Sequence, residues 1–234
     1  MIDAAVLPAA WAMQASLHLG WAVVLAWLLV AGVRLCSAQP LSQRMRWCAA
    51  VLAVVALLAS VLPGSGSLSY YLGLAFQAPS VMSILLCGMA LWRWLRPSAS
   101  APTGVSAQRI EHVVQLSAAL VGVLLGWYLL LDTLALLPVS VYAWGYGRTA
   151  LWAVLVVVLL WAMAIHSLIR ARSVRFVWPI LAVLLVFATT RLSTGNLWDA
   201  LLDPWLWLAS HLWVLIAFRR WLRGSRPTVY TKIQ

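Results

Sequence analysis

About seven long, continuous apolar runs divide this chain, at 9–33, 47–62, 72–95, 113–137, 149–169, 176–190 and 197–218. A bilayer hydrocarbon core about 30 Å thick takes roughly 20 helical residues to cross, and shorter or tilted segments are tolerated. Barrel strands would alternate apolar with polar residues and be about half as long. Lipid also requires every spanning backbone group to be satisfied within its own segment. The runs therefore predict an all-α, polytopic integral membrane helical bundle forming a single domain over 1–234.

The charges orient it. Fourteen of the sixteen Lys and Arg residues flank the runs on one side: Arg34, Arg44, Arg46, Arg93, Arg96, Arg109, Arg170, Arg172, Arg175, Arg219, Arg220, Arg223, Arg226 and Lys232. Only Arg148 and Arg191 fall on the other side, beside Asp3, Asp132, Asp199 and Asp203, while Glu111 lies with the majority. Short loops rich in Lys and Arg stay cytoplasmic. The expected topology is N-terminus outside and C-terminus inside, with 219–234 a short basic cytoplasmic tail. No eukaryotic targeting signal is evident, so a bacterial cytoplasmic (inner) membrane is the expected location.

The net charge of +11 would suit nucleic acid, but the cations sit in short clusters between apolar runs. They form no contiguous basic face or known module, so no nucleic-acid partner is expected. Lipid headgroups of the anionic inner leaflet are the natural contacts for these loops. Met1-Ile2-Asp3 lacks the basic start of a cleaved leader, and the first apolar run is too long for one. Val33-Arg34-Leu35-Cys36 loosely resembles a lipoprotein box, although an arginine inside it argues against processing. Cys36, Cys48 and Cys87 provide no disulfide framework and read as reduced thiols.

Of the sixteen tryptophans, nine fall at the predicted membrane boundaries. Trp11, Trp144, Trp198 and Trp205 fall at outer ends, and Trp47, Trp92, Trp94, Trp178 and Trp221 at inner ends, as an aromatic belt requires. Leu72-x-x-Ala75-Phe76-x-x-Pro79 is echoed by Leu197-x-x-Ala200-Leu201-x-x-Pro204, and more loosely by Leu131-x-x-Leu134-Ala135-x-x-Pro138. Each segment could be a short interfacial helix that breaks at proline, because the residue before Pro disfavours helix. Ala118, Gly122 and Gly126, like Ala12, Ser16 and Gly20, recur every four residues, so each trio forms a small-residue face for helix packing.

Chemistry-bearing motifs are sparse. His-x-x-x-His, CxxC and HExxH are all missing, as are GxGxxG, the Walker A lysine loop and GxSxG. No metal or cofactor is predicted. His18 and His211 lie within the first and last runs at depths that would allow a bis-imidazole haem b site, kept as an alternative. His112 and His166 sit at cytoplasmic helix ends, suited to headgroups or helix-terminal carbonyls.

The outer side holds the candidate polar site: Asp132, Arg148, Arg191, Asp199, Asp203 and Gln77. Asp132 lies about six residues before the end of the fourth run, roughly 9 Å deep, where a carboxylate must be paired, hydrated or protonated. One reading is a vestibule whose arginines grip a phosphate or carboxylate. The other is a set of helix caps and ion pairs, with Asp132 paired to Arg148 and Asn196 an N-cap. Three functions remain open: a non-catalytic accessory or scaffold subunit held among other membrane subunits, a small transporter or permease component using the outer site, or a membrane enzyme or haem b electron carrier.

Overall fold

A computed structural model describes residues 7–36, 43–62, 64–95, 105–169 and 177–224. Asp3, Arg96, Arg170, Arg172, Arg175, Arg226 and Lys232 lie outside the described residues, as do the side chains of Arg44, Arg109, Glu111, His166 and Arg223. Within them every regular element is helical: α1 (Ala10–Cys36), α2 (Gln43–Val61), a 3₁₀ turn (Gly64–Gly66), α3 (Leu68–Phe76), α4 (Val81–Leu95), α5 (Val105–Thr133), α6 (Val141–Trp144), α7 (Arg148–Ile169), α8 (Trp178–Thr190), α9 (Leu197–Leu201) and α10 (Pro204–Gly224). The all-α class is thus observed. Two stretches, Ala10–Cys36 and His112–Thr133, are long and apolar enough to cross a membrane by length and composition.

Punctuation residues set the boundaries. The apolar run 72–95 is two helices, α3 and α4, separated at Gln77–Ser80, where Gln77 takes a left-handed φ of 61° and Pro79 follows. The run 197–218 likewise divides into α9 and α10 at Asp203-Pro204, with Pro204 at the first helical position. Helix α10 continues to Gly224, so the first residues of the expected tail are helical. Helix α5 ends at Thr133 rather than near Leu137, because Ala135 turns left-handed (φ 55°) and the chain leaves the helix axis. Asp132 is therefore in the last turn of α5.

Packing follows side-chain size. Helix α1 contacts α2, α3 and α4; α4 reaches α8 and α9; α5 pairs with α10; and α7 packs on α8. The main core gathers Val81, Val183, Leu184, Phe187, Leu197 and Ala200 from α4, α8 and α9. A second cluster, Ala26, Val30, Ala49 and Ala53, seals α1 against α2. Small residues fill the contacts while many large apolar ones point outward: Leu58, Leu124, Leu160, Leu185 and Leu212 are each more than half exposed. Arg34, Arg46, Arg93, Arg219 and Arg220 sit at the helix ends remote from α3, α6 and α9.

Two glycines show how closely the helices approach. A Cβ on Gly20 of α1 would lie 2.8 Å from Ile84 of α4, and one on Gly126 of α5 would lie 2.2 Å from the Trp207 indole of α10. Gly122 faces Ser210 on the same α5–α10 seam, whereas the Ala118 side chain is exposed. Gly126→Leu is expected to cost about 2 kcal/mol through overpacking. Gly32→Leu is the control, since nothing lies within 4 Å of that position. Unfolding midpoints in a mild detergent check the pair; equal midpoints for the two variants would contradict the seam.

Candidate functional site

The buried polar residues concentrate at one end of the bundle. Ser60, Ser67, Ser69, Ser80, Ser83, Ser193, Asn196 and Asp203 are all buried there, where α3, α6 and α9 meet the ends of the longer helices. Helix termini leave backbone N–H groups unpaired, and buried ones must find acceptors. Each short helix here begins on a residue suited to that task. Ser67 Oγ accepts from the Tyr70 N–H at 3.1 Å, Ser140 Oγ from the Ala143 N–H at 3.4 Å, and Asn196 Oδ1 from the Trp198 N–H at 3.0 Å.

Asp132 closes the α5–α6 loop. Its carboxylate accepts from the Tyr142 N–H at 2.5 Å and from the Ser140 hydroxyl at 3.3 Å. The ion pair expected with Arg148 does not form: the Arg148 side chain is exposed at the start of α7, and the Asp132 oxygens face the first turn of α6. Backbone N–H groups at a helix start attract a carboxylate through both hydrogen bonding and the helix dipole.

Tyr142 links that loop to the next. Its hydroxyl donates to Asp199 Oδ2 at 2.8 Å, and Asp199 also accepts from the Thr194 hydroxyl. The Asn196 amide donates to the Tyr142 carbonyl at 2.9 Å, and the Trp198 indole to the Val141 carbonyl at 2.8 Å. Burial, and after it the bond to Asp199, pushes the Tyr142 hydroxyl above the ordinary tyrosine range. The proton is thus held more tightly folded than unfolded. Stability is fully present below the ordinary tyrosine pKa of about 10 and declines as pH rises above it. Tyr142→Phe is expected to lose about 1 kcal/mol at neutral pH and to show a shallower alkaline decline. Unfolding midpoints collected between about pH 8 and 11 test this; parallel curves for the two proteins would refute it.

Asp203 is the most enclosed acid among the described residues, only 8% exposed. Its Oδ1 accepts from the Leu206 N–H at 2.7 Å, capping α10, and its Oδ2 accepts from the Ser80 N–H at 2.8 Å. Ser80 in turn caps α4 through Ser83, whose N–H donates to Ser80 Oγ at 3.0 Å. The breaks at Pro79 and Pro204, the two related positions of the sequence echo, therefore meet at one carboxylate. Phe76 and Trp205 pack edge-to-face beside them, with ring centroids 5.0 Å apart.

The remaining candidates are dispersed. Gln77 contributes its backbone: its carbonyl accepts from the Trp21 indole at 2.8 Å. Arg191 ends α8 in the left-handed conformation and lays its guanidinium over the Phe187 ring, 5.0 Å from the centroid. Of the six outer-side candidates, Asp132 and Asp199 share a partner, Tyr142. Ser80, Thr194 and Gly145 lie outside the candidates that the sequence offers. Ser80 alone offers a local signal, a helix-start residue that follows Pro79 inside the run 72–95.

The two histidines considered for haem lie in different interfaces. His18 Nδ1 donates to the Ser60 carbonyl at 2.9 Å, at the corner of α1, α2 and α3. His211 Nδ1 donates to the Trp207 carbonyl at 2.9 Å, and its Nε2 accepts from the Trp127 indole at 3.2 Å. Both His211 ring nitrogens are therefore engaged in hydrogen bonds. Among the described residues no group of three or more His, Cys, Asp or Glu could hold a metal ion.

Fold and polar layer together define an all-helical chain whose short capping helices are stitched to longer apolar ones. No protein-family model, curated protein or solved structure matches it.

Proposed function

We propose that this chain is an integral protein of a bacterial cytoplasmic membrane with about seven spans, N-terminus outside and C-terminus inside, serving as a non-catalytic accessory or scaffold subunit of a larger membrane assembly. The carrying observation is that Asp132, Asp199 and Asp203 all accept hydrogen bonds that fix helix ends and loops. Such a layer is a brace: it holds a shape for a neighbour to read and leaves those carboxylates committed. The membrane setting is supported by the outward-facing leucines and by the two long apolar helices. Helices α4 and α8, with 15 and 13 residues, rise only about 22 and 20 Å at 1.5 Å per residue. Hydrophobic mismatch of that size is accommodated by local thinning and snorkelling of flanking residues.

Two measurements test the reading. Native mass spectrometry of the chain extracted gently from its host should show a stoichiometric partner polypeptide; a lone chain would sink the subunit assignment. Cys36 and Cys48, both exposed near the basic ends of α1 and α2, should resist a membrane-impermeant maleimide in intact cells and react after permeabilisation. Labelling from outside would reverse the topology.

A small permease component is the second reading, favoured by two discontinuous helices meeting at Asp203, an arrangement transporters use near their substrates. The same spectra separate the two, since a permease would carry a small molecule in place of a partner chain.

A further inference from the structure

We propose that the open groove between α1 and α4 is a binding site for an anionic phospholipid of the cytoplasmic leaflet. It rests on the membrane reading above and adds a specific ligand to it. The groove, about 460 Å³, is lined by Val23, Ile84, Leu85, Gly88, Met89, Trp92 and Arg93. Its wall is apolar along α4 until Arg93, the single charged group lining it.

Length and charge identify the occupant. From Ile84 to Arg93 the helix climbs about 14 Å at 1.5 Å per residue, close to the roughly 15 Å that one leaflet contributes to the hydrocarbon core. An acyl chain laid against Ile84 and Gly88 would thus bring its phosphate to the level of Arg93. Trp92 sits beside that cation and is 56% exposed, the position an interfacial tryptophan takes at headgroup depth. Arg93 itself is exposed, and a guanidinium matches phosphate oxygens bidentately. Gly88 makes the room. A Cβ there would meet nothing nearer than Val23 Cγ1 at 3.9 Å, so the floor of the groove is backbone, open to a chain lying across it.

Gly88 also supplies the test, because a Cβ added there meets Val23 only at ordinary van der Waals distance while a larger side chain fills the groove. Delipidated full-length protein in detergent is titrated with phosphatidylglycerol or phosphatidylethanolamine, and bound lipid per chain is counted by native mass spectrometry. Wild type should retain one phosphatidylglycerol in preference to phosphatidylethanolamine. Gly88→Leu should abolish that retention, and Arg93→Gln should weaken it about fivefold. Equal retention of both lipids, or variants that bind like wild type, would overturn the proposal. Displacement by inorganic phosphate at equal concentration would also overturn it, leaving an anion site without an acyl groove. Arg93→Gln removes only an exposed side chain, so that arm reads binding even if Gly88→Leu disturbs folding. Alkaline carbonate extraction of wild type is the separate control. A chain released by carbonate would refute the membrane reading, whereas a carbonate-resistant chain that retains no lipid refutes the groove alone.

Discussion

Asp203→Ala should destabilise the fold by about 4 kcal/mol, the largest effect of any acidic residue in the polar layer. Asp203 is buried, and its two oxygens accept from two different helix starts: the Leu206 N–H of α10 and the Ser80 N–H at the head of α4. Hydrogen bonds to a charged partner contribute about 1.5–3 kcal/mol each, and losing the acceptor leaves both donors buried without one. The negative charge also lies at the positive ends of two helix dipoles. Asp203→Asn keeps one carbonyl oxygen and turns an amide towards the other N–H, so it should lose about half as much. Asp132→Asn is the comparison: that carboxylate also accepts two bonds, but its residue is only partly buried and Ser140 is exposed, so solvent can replace a lost partner. Denaturant titrations in micelles rank the three. An Asp203→Ala variant within about 1 kcal/mol of wild type would show that the two helix breaks do not depend on this bridge.

What could be read from the sequence follows from which signals are local. The breaks near Pro79 and Pro204 are visible because proline restricts the residue before it and removes a donor. Asn196 is legible as a cap because its side chain acts two residues on, at Trp198. The end of α5 is not legible, because 134–137 is apolar throughout and offers no breaker before Pro138. The helix stops where Ala135 turns left-handed and Asp132 reaches forward to α6, a tertiary preference written in no single residue type. The same limit governed the partner of Asp132. Counting charges points to Arg148, yet the acceptor went to a backbone N–H, which every residue but proline carries and no residue name advertises. The bond between Asp203 and Ser80 spans 123 positions, and only the folded chain brings those ends together. Ser80 could be suspected as a helix start, but its acidic neighbour could not.

Gly145→Ala should cost about 3 kcal/mol, although alanine is the better helix former and the backbone at this position is ordinary right-handed helix (φ −59°). Propensity alone predicts a gain; the close approach decides the sign. A Cβ here would lie 1.9 Å from Asn196 Oδ1 and 2.6 Å from Cδ1 of Trp198, distances no packed structure tolerates. Neither side chain can yield cheaply. Asn196 is fully buried, with Oδ1 accepting from the Trp198 N–H and Nδ2 donating to the Tyr142 carbonyl, while the Trp198 indole is tied to Val141. The Gly145 carbonyl itself accepts from the Leu197 N–H at 2.9 Å, so pushing α6 away from α9 strains that bond as well. Gly66→Ala is the control, having a negative φ and nothing within 4 Å of its added Cβ. A double-mutant cycle with Asn196→Ser separates steric conflict from lost hydrogen bonding. Asn196→Ser alone should destabilise by removing the amide bridge to Tyr142. In combination it also clears the atom that the new methyl strikes, so the double variant should lose less than the sum of the two singles. Strict additivity would mean that Gly145 is not held against Asn196, and that the junction of α6 with α9 is set by something other than this contact.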